Sequence, residues 1–172
     1  DEPWPDQPQE RQSLHPKALE QVHLCVGFRG LPVGHQDRYA AYVLSTILGG
    51  GVSSRLFQEI REKRGLAYTI YSHLSSFLDG GMLTVYAATR PKEVTGVIDQ
   101  ICKETAKLCR RVVNEKELER TKTQLKGSLM LGLEGTYGRM NKLAKDELYQ
   151  GRHVTLQEIV KSIDRISPEQ IR

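Results

Sequence analysis

No apolar run in the 172 residues comes near the roughly 18 needed to cross a bilayer, which excludes a membrane-spanning helix. Residues 1–10 are acidic and proline-rich, unlike the basic-then-apolar start of a secretory signal, so the chain reads as cytoplasmic. Cysteine is scarce: Cys25, Cys102 and Cys109 form no CxxC pair, and an odd count argues against a disulfide framework. They are expected to be buried or half-buried thiols. His15, His23, His35, His73 and His153 include no i,i+4 pair and no acidic partner at metal-ligand spacing, so no zinc motif is visible. No serine lies in a GxSxG context. The triple glycine Gly49-Gly50-Gly51 is followed by no GK[ST] and lies between helical segments, which excludes a P-loop.

What is present fits one domain with a real core, at 38% hydrophobic content. Pro3, Pro5, Pro8 and Pro16 make residues 1–16 a proline-rich linker, leaving 17–172 as a single domain. The net charge is +4 and the pI about 9.0, but in residues 103–126 basic and acidic side chains interleave, as on a solvated helix face. With no base-stacking motif beside it, this pattern argues against nucleic-acid binding.

Val22, Leu24, Val26 and Phe28 alternate with His23, Cys25 and Gly27, predicting a strand. Ala40, Val43, Leu44, Ile47 and Leu48 recur at helical spacing. Strands from Leu66 and over 82–89 flank Asp79-Gly80-Gly81, a glycine hairpin. Helices are predicted over 92–111, after a capping box at Asn114 and Glu117, over 136–149, and after a second box at Thr155 and Glu158. Ser167-Pro168-Glu169-Gln170 is a further helix-start signal, and a helix opening there is read as severed within a larger unit. Strands followed by helices predict an α+β fold, an antiparallel sheet covered by helices.

The richest segment is GGGVSSRLFQEIREKRGLAYTIY, residues 49–71. Ser53 or Ser54 can cap a helix whose Leu56, Phe57 and Ile60 form an apolar stripe, with Gly65 as its stop. The glycine loop is read as a tight turn or as a glycine-lined surface admitting a peptide. Arg61 offers a fixed fork of donors and Tyr68, in phase with Leu66 and Ile70, a phenol suited to a developing oxyanion. Pattern alone does not single them out, because Arg64 falls closer still to the apolar stripe.

LGGGVSSRLFQEIREKRGLAYTIYS, then GGMLTVYAATRP and the late ISPEQI, closely resemble the pitrilysin family of zinc metallopeptidases, including bacterial processing-protease-like members and the mitochondrial processing peptidase. The resemblance implies two similar α+β halves, the first holding zinc in an inverted HxxEH motif. No HxxEH occurs here, so the chain resembles the second, non-zinc half, a two-layer sandwich of processing-peptidase type. The bacterial members point to a bacterial type of cytoplasmic protein. The family register R-x-x-x-x-G/L-x-Y falls on Arg61 and Tyr68, which are implied to reach the peptide bound at the other half, with Gly49, Gly50 and Gly51 near it. The implied partners are the zinc-binding half, in the same chain or as a separate subunit, and a peptide substrate, with a homodimer as a further candidate. Zinc is expected in the partner half and no cofactor in this one. The alternative is a structural subunit resembling the core proteins of respiratory complexes.

Overall fold

The computed structural model describes residues 19–172; the proline-rich linker expected at 1–16 lies outside them. Alternation builds strand β1 (Val22–Gly30), with its polar positions exposed and its apolar ones half-buried. Strands β2 (Ala67–Ser76) and β3 (Gly81–Thr89) form the expected hairpin, Ser76 pairing with Gly81. β1 joins β3 antiparallel from Val22 opposite Thr89 to Gly30 opposite Gly81, giving the order β1-β3-β2. Central β3 is the most apolar strand on its inner side, where Leu83, Val85 and Ala87 are buried.

Helices cover that inner face. In α1 (Arg38–Gly49) Val43, Ile47 and Leu48 are buried, and the helix lies on β2. In α2 (Val94–Arg110) Val97, Ile101 and Leu108 form one stripe facing β3. Helices α3 (Glu115–Gly132) and α5 (Leu156–Asp164) pack on α1 and on each other through Leu118, Ile159 and Ile163. Between them α4 (Thr136–Gln150) buries no residue completely and ends at Gly151, whose φ of 62° is the left-handed stop. Each fully buried Leu or Ile contributes about 1.5–3 kcal/mol, so these few side chains set most of the cohesion.

The local signals hold at helix starts. Asn114 Oδ1 accepts the Lys116 N–H at 2.9 Å, and Thr155 Oγ1 accepts the Glu158 N–H at 3.2 Å. At the late helix-start signal the Ser167 N–H donates to Gln170 Oε1 at 2.9 Å, opening a single 3₁₀ turn, Glu169–Ile171. Two expectations fail. All three cysteines are exposed: Cys25 falls on the outer face of β1, and Cys102 and Cys109 each stand one residue, about 100° of helix, past the stripe positions Ile101 and Leu108. Nor is residues 103–126 merely a solvated face, because Glu104 and Lys122 are buried; Lys122 Nζ donates to Glu119 Oε1 at 2.8 Å and to the Asp164 carbonyl at 3.1 Å. Among the described residues, no helix is long and apolar enough to cross a membrane.

Candidate functional site

The site begins where α1 ends. A Cβ on Gly49 would stand 2.8 Å from Ser72 Oγ and closer still to the Ser72 backbone, so only glycine lets the end of α1 press against β2. The chain then turns through residues 50–54. Here the expected serine cap does not form: the Ser54 hydroxyl and N–H both donate back to the Gly51 carbonyl, at 2.6 and 3.0 Å. The helix that follows is also not the regular one predicted. After one turn it widens into a π-helix, Phe57–Glu62, closed by the Lys63 N–H on the Gln58 carbonyl at 3.0 Å, five residues back. Leu56 and Ile60 are buried, and Gly65, at φ 59°, ends the element as predicted.

The widened helix decides between the two arginines. Arg64 Nη1 donates to the Glu59 carbonyl at 2.8 Å and to Glu59 Oε2 at 2.6 Å, while Lys63 pairs with Glu59 Oε1. Hydrogen bonds from Lys63 and then Arg64 hold the Glu59 carboxyl down at about 2, against an ordinary 4.5. Arg64 is thereby tied to its own turn. Arg61 is exposed, its guanidinium 4.7 Å from the centre of the Phe57 ring, with no ion-pair partner among the described residues.

Tyr68 is displaced from its expected phase by a β-bulge. Ala67 pairs with Thr89 but Thr69 pairs with Ala88, so one residue of β2 is extra. Ala67 and Ile70 stay buried while Tyr68 is thrown outward, 51% exposed. The Thr89 hydroxyl donates to the Leu66 carbonyl beside this bulge. Arg61 and Tyr68 thus each sit at a one-residue irregularity on elements joined by the turn 63–66. Both kinds of insertion accumulate at functional sites because they re-aim a side chain.

The triple glycine lines a cleft of about 300 Å³ with Val52, Phe57 and Tyr71, bringing the loop beside the ring on which Arg61 rests. Tyr71 begins an aromatic ladder that the sequence reading missed: its ring is 5.0 Å from that of Tyr86, and Tyr86 OH is 2.8 Å from His23 Nδ1. Strand register aligns them, with Tyr71 opposite Tyr86. A roomier hollow of about 520 Å³ lies among the helices, between Tyr39 and Leu129, and touches none of these groups. Among the described residues, no three or more His, Cys, Asp or Glu gather to hold a metal ion.

A family model described as the peptidase M16 inactive domain matches residues 1–125. The chain is 46% identical over 155 residues to the "Uncharacterized zinc protease YmxG" of Bacillus subtilis, covering 90% of this chain and 38% of that protein. It is 42% identical over 163 residues to an uncharacterized zinc protease of Streptomyces coelicolor, covering 94% and 35%. Among solved structures, a peptidase M16 inactive domain from Pseudomonas fluorescens superposes with a TM-score of 0.79 at 26% identity, over 88% of this chain and 36% of that one. A chain of Complex III2 from Candida albicans shares the fold, with a TM-score of 0.81 at 22% identity, over 91% and 39%. The chain spans less than two fifths of the length of these curated relatives.

Proposed function

The chain belongs to the peptidase M16 inactive-domain family, and on that premise we propose that it is the helper half of a zinc-dependent endopeptidase, walling part of a peptide-binding chamber and orienting substrate for cleavage at the other half. On this reading the zinc lies in the partner half, which is supported by the relatives described as zinc proteases. The observation that carries the reading is the placement of Arg61 and Tyr68. Each stands at an insertion, each is exposed, and the Arg61 guanidinium has no carboxylate among the described residues. A fork of N–H donors and a phenolic O–H, both turned outward, suit the carbonyl oxygens of a bound peptide and the charge that grows on one of them during hydrolysis. Preorganised donors of this kind cost nothing to reorient at the moment of reaction. The glycine cleft and the Tyr71–Tyr86–His23 ladder offer aromatic and backbone surface for the flanking peptide.

The test is substitution within the assembled protease, this chain with its zinc half. Arg61→Ala and Tyr68→Phe should each lower kcat by about 10²–10³, the effect of a lost oxyanion donor, with thermal unfolding unchanged because both side chains are exposed. Full turnover in both variants would sink the reading and leave a purely structural subunit in its place.

A further inference from the structure

We infer that one polar face of α3, formed by Glu117, Arg120 and Gln124, is a positioning device that fixes the glycine loop and the π-helix and so aims Arg61; the inference rests on the helper-half reading above. These residues fall at i, i+3 and i+7, on one side of the helix. Each reaches a different point of the same segment, 62 to 74 residues away in sequence. Gln124 Nε2 donates to the Gly50 carbonyl at 3.0 Å, and Arg120 Nη2 to the Ser53 carbonyl at 3.3 Å. Glu117 takes the Arg55 guanidinium in a two-pronged pair at 2.9 and 2.7 Å, with both side chains 21% exposed. That hydrogen bonding, less the opposing effect of burial, raises the Arg55 pKa above its ordinary value.

The segment needs such a device. Three glycines in a row have more backbone freedom to lose than any other residues, and the loop has no ladder of its own to hold it. Yet each of its carbonyls from residue 50 to 53 has a donor. The two not reached by α3 are served locally: the Gly51 carbonyl by Ser54, and the Val52 carbonyl by Gln58 Nε2 at 2.7 Å. A Cβ on Gly51 would lie 2.9 Å from Gln124 Nε2, so the middle of the loop is shaped around the amide that binds it. The bidentate Arg55–Glu117 pair then sits two residues before the π-helix, where a small rotation would carry through to Arg61. The capping box expected between Asn114 and Glu117 does not form: Asn114 Oδ1 accepts the Lys116 N–H, and the Glu117 carboxylate goes to Arg55.

A residue that merely stabilises the fold would lose activity whether or not Arg61 is present; one that acts through Arg61 would not. In the assembled protease, Glu117→Gln, which keeps shape and removes charge, should lower kcat about tenfold with KM within about twofold. Gln124→Ala, which removes one exposed contact without threatening the fold, should lower it in the same sense. In an Arg61→Ala background both substitutions should have no further effect on kcat, the non-additivity of residues working as one unit. On the chain alone, amide exchange of residues 55–62 should quicken in Glu117→Gln while that of α2 stays unchanged. Losses that add to that of Arg61→Ala, or full kcat in Glu117→Gln beside a crippled Arg61→Ala, would overturn the positioning role and leave the helper-half reading standing. A silent Arg61→Ala would overturn the positioning role, and with a silent Tyr68→Phe beside it the helper-half reading as well; unchanged exchange in Glu117→Gln would overturn the clamp itself.

Discussion

Glu59 gathers both cations of its own turn, Lys63 and Arg64, and its carboxyl titrates near 2 in the folded chain against 4.5 ordinarily. A folded pKa below the unfolded one means that the stabilisation is present above about pH 4.5 and is lost as pH falls toward 2. Glu59 is half-buried but its partners Lys63 and Arg64 are exposed, so solvent screening limits the effect to no more than about 1 kcal/mol. Urea melts of the wild type and of Glu59→Gln should therefore differ at pH 6, differ less as pH falls below about 4.5 and converge only near pH 2; a gap that widens on acidification would contradict the pairing. The glycines separate at the same scale. Gly49→Ala drives a methyl group into the β2 backbone and should cost about 1–3 kcal/mol, whereas Gly51→Ala meets only the movable Gln124 amide and should cost visibly less in the same thermal melt. The sequence showed that these glycines were special without showing that each serves a different neighbour. Helical phase likewise put Arg64 closer than Arg61 to the apolar stripe, and only the structure shows Arg64 captured by Glu59.

Elements defined by contacts within a few residues were the most legible. The caps at Asn114 and Thr155, the stop at Gly65 and the glycine hairpin all rest on local geometry, and each formed where the residues pointed. Thr155→Ala should accordingly lower stability by about 1 kcal/mol in denaturant unfolding, with no change in peptidase turnover, since α5 lies away from the glycine cleft. The irregular elements were illegible for a matching reason. A β-bulge exists only relative to the partner strand, and the register that creates it pairs Ala67 with Thr89 and Thr69 with Ala88, some 20 residues apart in sequence. The π-helix similarly satisfies the period of its buried Leu56 and Ile60 while gaining one residue per turn, a choice the apolar pattern does not record. Ser54 looked like a cap because its spacing was right; the carbonyl of Gly51, which also accepts the Ser54 N–H, claimed its hydroxyl instead.

At the scale of the molecule, helices cover one face of the sheet and leave the other to Tyr71, Tyr86 and His23. On the helper-half reading, the purified chain should neither retain stoichiometric zinc nor cleave peptides, by metal analysis and a fluorogenic peptide assay. Stoichiometric metal with activity would refute the helper-half assignment. By itself the sequence determined the fold class and the order of most elements, because apolar period, turn chemistry and capping act over a few residues at a time. The tertiary structure alone decided where Tyr68 points and that Glu117 pairs with Arg55, because each depends on groups that folding brings together from distant parts of the chain, whereas Arg61 is set apart from Arg64 by the local pairing of Arg64 with Glu59.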